Sequence, residues 1–147
     1  MKKYLSQCGA SLQEINLAQA DGMSRLLDIR ITAVGADFII GEMPVDERTR
    51  QPFGVLHGGA SMVLAESLGS YASVLKTMDE PSARVMGIEI SGSHLRSVLS
   101  GKVIGTCHAI KLGRNLHFWR IDIHDEGGNI CCAARLTVMV GRKPVGD

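Results

Sequence analysis

The stretch from His57 to about Met78 constrains the fold most. It contains no proline and is rich in Ala, Leu, Met and Ser. Ala60, Leu64, Leu68, Tyr71 and Leu75 recur at helical spacing, and Val63, Ser67 and Val74 widen the stripe. The spacing predicts one helix of about five to six turns, ended by Asp79-Glu80-Pro81. A helix apolar over so much of its surface must be covered nearly all round. The rest of the chain has to supply that cover.

The flanking segments read as a sheet. Residues 11–27 suggest one or two short helices. Ser11 is placed to cap the first, with Glu14 at the capping-box position; Leu12, Ile15 and Leu17 form a partial apolar face, and Asp21-Gly22 breaks the run. Strand patterns follow at Asp28–Val34 and Asp37–Val45, joined by Gly35-Ala36. After the helix, strands are expected at Val85–Leu95, Lys102–Leu112, Leu116–His124 and Ile130–Val140. Gly101, Gly113 and Gly127-Gly128 mark the turns between them. In the third, Trp119, Ile121 and Ile123 alternate with Phe118, Arg120 and Asp122. Short links imply antiparallel pairing. The expectation is an α+β fold, one antiparallel sheet wrapped around one long central helix, formed by residues 1–147 as a single domain.

Composition excludes several functions. Lys and Arg total 16 against 15 Asp and Glu, a net charge of +1, which lacks the basic excess of a nucleic-acid binder. No run approaches the ~18 apolar residues of a membrane helix. The segment Met1–Cys8 has basic residues without a following apolar core, so no secretory signal is read and a cytoplasmic location is expected. Cys8, Cys107, Cys131 and Cys132 form no C-x-x-C pair; they are read as small buried hydrophobes, with neither disulfide nor metal site. The 17 glycines are too many for linkers in a chain with 4 prolines. They mark positive φ or places where something approaches the backbone closely.

The chemistry concentrates along the long helix. His57-Gly58-Gly59 opens it. A helix N-terminus offers free N–H groups and the positive end of the dipole, and glycine lets a ligand oxygen approach. The glycine pair alone is equally a tight loop-to-helix turn. Glu66 is more telling, being the only Asp, Glu, Lys or Arg between Gln51 and Leu75. A lone carboxylate on an apolar helix is costly unless exposed or paired, and is a candidate nucleophile or general base. Ser70 and Ser73, at i+4 and i+7, place it on a narrow polar stripe. Gly58 and Glu66 lie ~12 Å apart along one helix. If both serve one reaction, Glu66 must meet Gly58 of a second chain, as two antiparallel central helices in a C2 dimer would allow. His94, beside Arg96, is either structural or ligand-binding. His108, His117 and His124 read as strand-surface residues. Arg96 and Arg114 are planar donors for phosphate, and Gly113 leaves room for a ligand beside Arg114.

Residues 43–60, Met-Pro-Val-Asp-Glu-Arg-Thr-Arg-Gln-Pro-Phe-Gly-Val-Leu-His-Gly-Gly-Ala, followed by Leu64-Ala65-Glu66-Ser67-Leu68-Gly69-Ser70, resemble the hotdog-fold acyl-CoA thioesterases. The resemblance is strongest to the bacterial subgroup of 1,4-dihydroxy-2-naphthoyl-CoA and enterobactin-pathway proofreading thioesterases, and the chain is also similar to the 4-hydroxybenzoyl-CoA thioesterases of the Arthrobacter type. Leu27–Arg30, Gly87-Ile88-Glu89, His94-Leu95-Arg96 and Asp125–Thr137 extend the resemblance over nearly the whole chain. It implies a dimer or a dimer-of-dimers tetramer, an acyl-CoA or acyl-carrier-protein substrate, and no metal or other cofactor. It implies Glu66 as nucleophile or base, the Gly58 N–H as carbonyl polariser, and Gln51 and His57 as positioners of the thioester. Ser70 would hold the attacking water, while Ser67 and Tyr71 would line the acyl pocket. His94, Arg96, Gly113 and Arg114 would receive the CoA arm. Two departures stand out. Lys111 occupies a place where relatives often carry histidine, and Tyr71 is larger than its usual counterpart, which favours a smaller acyl group than naphthoyl. Two other readings compete with hydrolysis: a non-catalytic acyl-CoA-binding protein and a 3-hydroxyacyl-thioester dehydratase.

Overall fold

The computed structural model describes residues 11–18 and 21–142. Cys8 and the rest of the N-terminal reading lie outside them. Two short helices, α1 (Leu12–Ala18) and α2 (Gly22–Leu26), lead into strands β1 (Arg30–Val34) and β2 (Phe38–Pro44). The long helix α3 spans Gly58–Lys76. Strands β3 (Ala83–His94), β4 (Lys102–Leu112), β5 (Leu116–Asp125) and β6 (Ile130–Arg142) complete one six-stranded antiparallel sheet in the order β1-β2-β4-β5-β6-β3. None of the described helices is long and apolar enough to cross a membrane.

The sheet closes on α3 as the apolar pattern requires. Leu64, Leu68 and Ala72 are fully buried, as are Trp119, Ile121 and Ile123 from the alternating face of β5. Burying each of these leucine and isoleucine side chains contributes roughly 2 kcal/mol. Glycines let the helix sink into the sheet. Gly41 and Gly105 face each other across β2 and β4. A methyl group on either would meet Leu68, at 2.8 and 2.7 Å. Gly69 does the same from the helix side, where an added Cβ would lie 2.5 Å from Leu136 Cδ2. These residues absorb part of the glycine surplus through packing.

Local signals at the N-terminal end held in part. The Ser11–Glu14 capping box forms, with Glu14 N–H donating to Ser11 Oγ and Ser11 N–H donating to Glu14 Oε2. Of the expected apolar face only Ile15 is buried; Leu12 and Leu17 are exposed. A seven-residue helix lying on a sheet edge has room to bury one side chain. Asp21 starts α2 as its N-cap, accepting from Gly22 N–H, where a break alone was expected.

The two sheet edges differ. Along β1, Asn16 of α1 stands in for a neighbouring strand, its Oδ1 accepting from Ile31 N–H and its Nδ2 donating to the Ile31 carbonyl. The opposite edge, the 12-residue β3, pairs among the described strands only with β6, and its residues are mostly exposed. A long edge with unpaired N–H and C=O groups is a template for another strand.

His117 corrects the sequence reading. It is 5% exposed, on the same β5 face as Trp119. Counting back two residues from Trp119 places it there. Ser73 is buried with it and off the polar stripe expected to carry Glu66. Ser73 Oγ accepts from Trp119 Nε1–H at 2.8 Å and lies 3.1 Å from His117 Nδ1. Which of the two groups donates follows from the tautomer of the His117 ring. Burial holds its pKa below the ordinary histidine value, Lys76 of α3 and Arg142 of β6 push it the same way, and Glu80 opposes them. Because the folded pKa is lowered, the unfolded chain takes up the proton first. Stability is therefore complete above about pH 6.5 and declines as pH falls below it. The expected result is a Tm that drops between pH 7.5 and 5.5, with a flatter profile in His117→Gln. Scanning calorimetry over that range checks it.

Candidate active site

The loop before α3 is folded on itself, and that fixes the helix start. Buried Thr49 donates its hydroxyl to the Pro44 carbonyl and accepts from Asp46 N–H. The Thr49 carbonyl takes the His57 N–H at 2.8 Å, and Leu56 N–H reaches the Val98 carbonyl. Gln51 Oε1 accepts from Phe53 N–H, which leaves its amide N–H groups as donors for a ligand.

His57 is the N-cap of α3. Its Nδ1 accepts from Gly59 N–H at 2.8 Å, so the ring is neutral with its proton on Nε2. The sequence pattern did not signal this cap, because histidine is an uncommon residue in that role. With Gly59 N–H engaged by the cap, Gly58 N–H sits at the first helical position, where no intrahelical acceptor exists. Gly58 also carries a steric requirement. A Cβ built on it would lie 2.6 Å from His94 Nε2. The imidazole of β3 occupies the space that a side chain would fill.

These groups border a cavity of about 320 Å³, lined by Gln51, Gly58, Ser61, His94, Arg96 and Cys131 among others. Cys131 is buried with its thiol on the Asn129 carbonyl, and burial raises its pKa. Cys107, Cys131 and Cys132 are buried free thiols.

Glu66 lies apart from this cavity. It is exposed, two turns further along α3, and its carboxylate makes no hydrogen bond or ion pair with the described residues of its own chain. Gly87 of β3 lies against it; a Cβ there would be 2.5 Å from Glu66 Oε1. The glycine beside Glu66 is therefore Gly87. Gly69 faces Leu136 and Trp119 on the sheet side instead. Ser67 and Ser70 are half-buried on the same helix. Tyr71 is packed against the core, and its hydroxyl donates to the Ile15 carbonyl at 3.1 Å, pinning α1 to α3.

Arg114 is at the other end of the sheet from Arg96. The register places His94 opposite Cys132 and Ala83 opposite Arg142. Arg114 belongs to the Arg142 end, where its carbonyl accepts from Arg142 Nη1. Gly113 is a turn glycine there. Its N–H donates to the Leu116 carbonyl, and an added Cβ would lie 3.0 Å from that oxygen. One chain thus brings together Gln51, Gly58, His94 and Arg96, and separates them from Glu66, Ser70 and Arg114.

An antiparallel sheet curled around one buried helix, with a donor-rich helix start beside a cavity, defines the hotdog class. Residues 53–132 match the thioesterase superfamily model, and the chain belongs to that family. It is 46% identical over 130 residues to the 1,4-dihydroxy-2-naphthoyl-CoA hydrolase of Escherichia coli, covering 88% of this chain and 94% of that protein. It is equally 46% identical to the proofreading thioesterase EntH of Cronobacter turicensis, over 88% of this chain and 93% of the relative. A crystal structure of a thioesterase from Haemophilus influenzae superposes with a TM-score of 0.88 at 43% identity, covering 95% of this chain and 96% of the other. The chain is a thioester hydrolase.

Proposed function

We propose that the protein hydrolyses aromatic acyl-CoA thioesters at two equal sites in a homodimer, each built from both chains. The observation that supports this most is the division of α3. Gly58 lines a cavity at one end, and Glu66, whose carboxylate has no partner among the described residues, stands two turns away beside the edge strand β3. Pairing β3 with the partner's β3, antiparallel, would bring Glu66 to the partner's Gly58 and cover the exposed edge.

In this reading the thioester carbonyl oxygen accepts from the partner's Gly58 N–H, which stabilises the oxyanion as it develops. Glu66 takes the proton of a water held by Ser70, or attacks the carbonyl carbon itself. The C–S bond breaks, its electron pair leaves on sulfur, and a proton completes the CoA thiol. Water supplies the oxygen of the released acid. No other cofactor is required. The partner's Gln51 and the partner's His57 orient the thioester, the imidazole from Nε2–H, its other nitrogen being the cap. The partner's His94 and the partner's Arg96, with Arg114, receive the phosphates and pantetheine. Ser67 and Tyr71 border the acyl group. The Tyr71 hydroxyl is tied to α1, which narrows the pocket and favours a single ring over naphthoyl.

The test is thiol release from a panel of benzoyl-, hydroxybenzoyl-, naphthoyl- and aliphatic-CoA esters, with an aryl-carrier-protein thioester included. The expected result is the highest kcat/KM on a single-ring aryl ester. Saturable binding without thiol release would favour an acyl-CoA-binding protein. Conversion of a 3-hydroxyacyl thioester to its enoyl product would favour a dehydratase.

A further inference from the structure

We infer that Gly87 is a positioning residue for the Glu66 carboxylate, set in place by a β-bulge in the edge strand; this rests on the catalytic reading of Glu66 above. Three contacts run along one helix face and one strand. A Cβ on Gly58 would strike His94, one on Gly92 would strike Met62 Cε at 2.6 Å, and one on Gly87 would strike Glu66 Oε1 at 2.5 Å. On α3 the members are Gly58, Met62 and Glu66, spaced by four, which is one face of a helix. On β3 they are His94, Gly92 and Gly87, and that spacing changes parity.

The change of parity has a cause. The pairing of β3 with β6 shifts register between Gly87 and Glu89, leaving Ile88 as an extra residue. Without it, the strand that turns Gly87 toward α3 would also turn Glu89, Ser91 and Ser93 there. With it, Ile90, Gly92 and His94 face the helix, and Gly87 still does. The bulge therefore lets one strand hold His94 at the helix start while offering Glu66 a site with no side chain. The sequence carries no periodic signal for this, since the strand reads as continuous.

The two glycines make an internal control. At each, an added methyl would meet the far end of a flexible side chain, so either variant folds. The displaced group differs. Gly87→Ala moves the carboxylate, whereas Gly92→Ala moves a thioether. A displacement of about 1 Å at a reacting group can cost up to 10²-fold in rate.

The experiment measures steady-state kinetics on the best CoA ester for Gly87→Ala, Gly92→Ala, Glu66→Gln, Glu66→Asp and the double variants, with Tm and sedimentation mass for each. The expected result is a kcat for Gly87→Ala reduced about 10- to 100-fold with KM within about twofold and unchanged mass. Gly92→Ala stays within about twofold. Adding Gly87→Ala to Glu66→Gln gives no further loss, and adding it to the shorter Glu66→Asp costs less than about twofold, because the clash is relieved. Wild-type turnover in Gly87→Ala, with Glu66→Gln inactive, overturns the positioning role alone. Equal losses in Gly87→Ala and Gly92→Ala overturn it in favour of general strand disturbance. Full activity in Glu66→Gln instead removes the catalytic reading on which it rests.

Discussion

Glu66→Gln is expected to reduce kcat for CoA-ester hydrolysis by about 10³-fold, the scale of a lost general base or nucleophile, while KM changes little. The substitution keeps volume and removes charge. Glu66 has no hydrogen-bond or ion-pair partner among the described residues of its chain, so no local network is broken and Tm should hold. The loss would then be chemical. Thiol release monitored under single-turnover conditions separates the chemical step from product release, and unchanged turnover sinks the assigned role.

Mixing two inactive variants should restore activity. Glu66→Gln and Gln51→Ala each cripple both sites of a homodimer. Refolded together in equal amounts, half of the dimers are mixed. In each mixed dimer one site receives the intact Gln51 of one chain and the intact Glu66 of the other, and the second site carries both lesions. About a quarter of wild-type activity returns if the site spans two chains, as C2 symmetry requires. If one chain supplied both groups, every site in the mixture would carry a lesion and nothing would return. The measured recovery therefore decides between a shared and a self-contained site, whatever the acyl group.

Much of this architecture is legible in the sequence. The stripe Ala60–Leu64–Leu68–Leu75 predicted α3 to within two residues at each end, because a buried helix must carry its apolar residues on several faces. Strand β4 was bounded at Lys102 and Leu112 as read. His57, Gly58 and Glu66 stood out as a glycine start and a lone charge. What escaped the reading depends on contacts between distant segments. His117 pairs with Ser73 across 44 positions, and no local pattern announces that a serine on a helix will receive a tryptophan N–H. Nothing in the strand patterns around Gly41 and Gly105 signals that Leu68 packs against both. The bulge at Gly87 was hidden for a related reason. A strand with one extra residue has the composition of a regular one, and only the neighbour's register exposes the slip.

Sheet order also determines when the site can be built during synthesis. Strand β3 finds its only partner within the described sheet in β6, which ends at Arg142. The seat for Glu66 at Gly87 and the His94 ring beside Gly58 both belong to that strand. As the chain leaves the ribosome, β1, β2, α3, β4 and β5 can meet neighbours already made, whereas β3 waits for the last strand to emerge. The nascent protein thus holds its proposed catalytic edge unassembled until β6 has emerged, and a chain stopped after Asp125 would carry every proposed catalytic residue with β3 still unpaired.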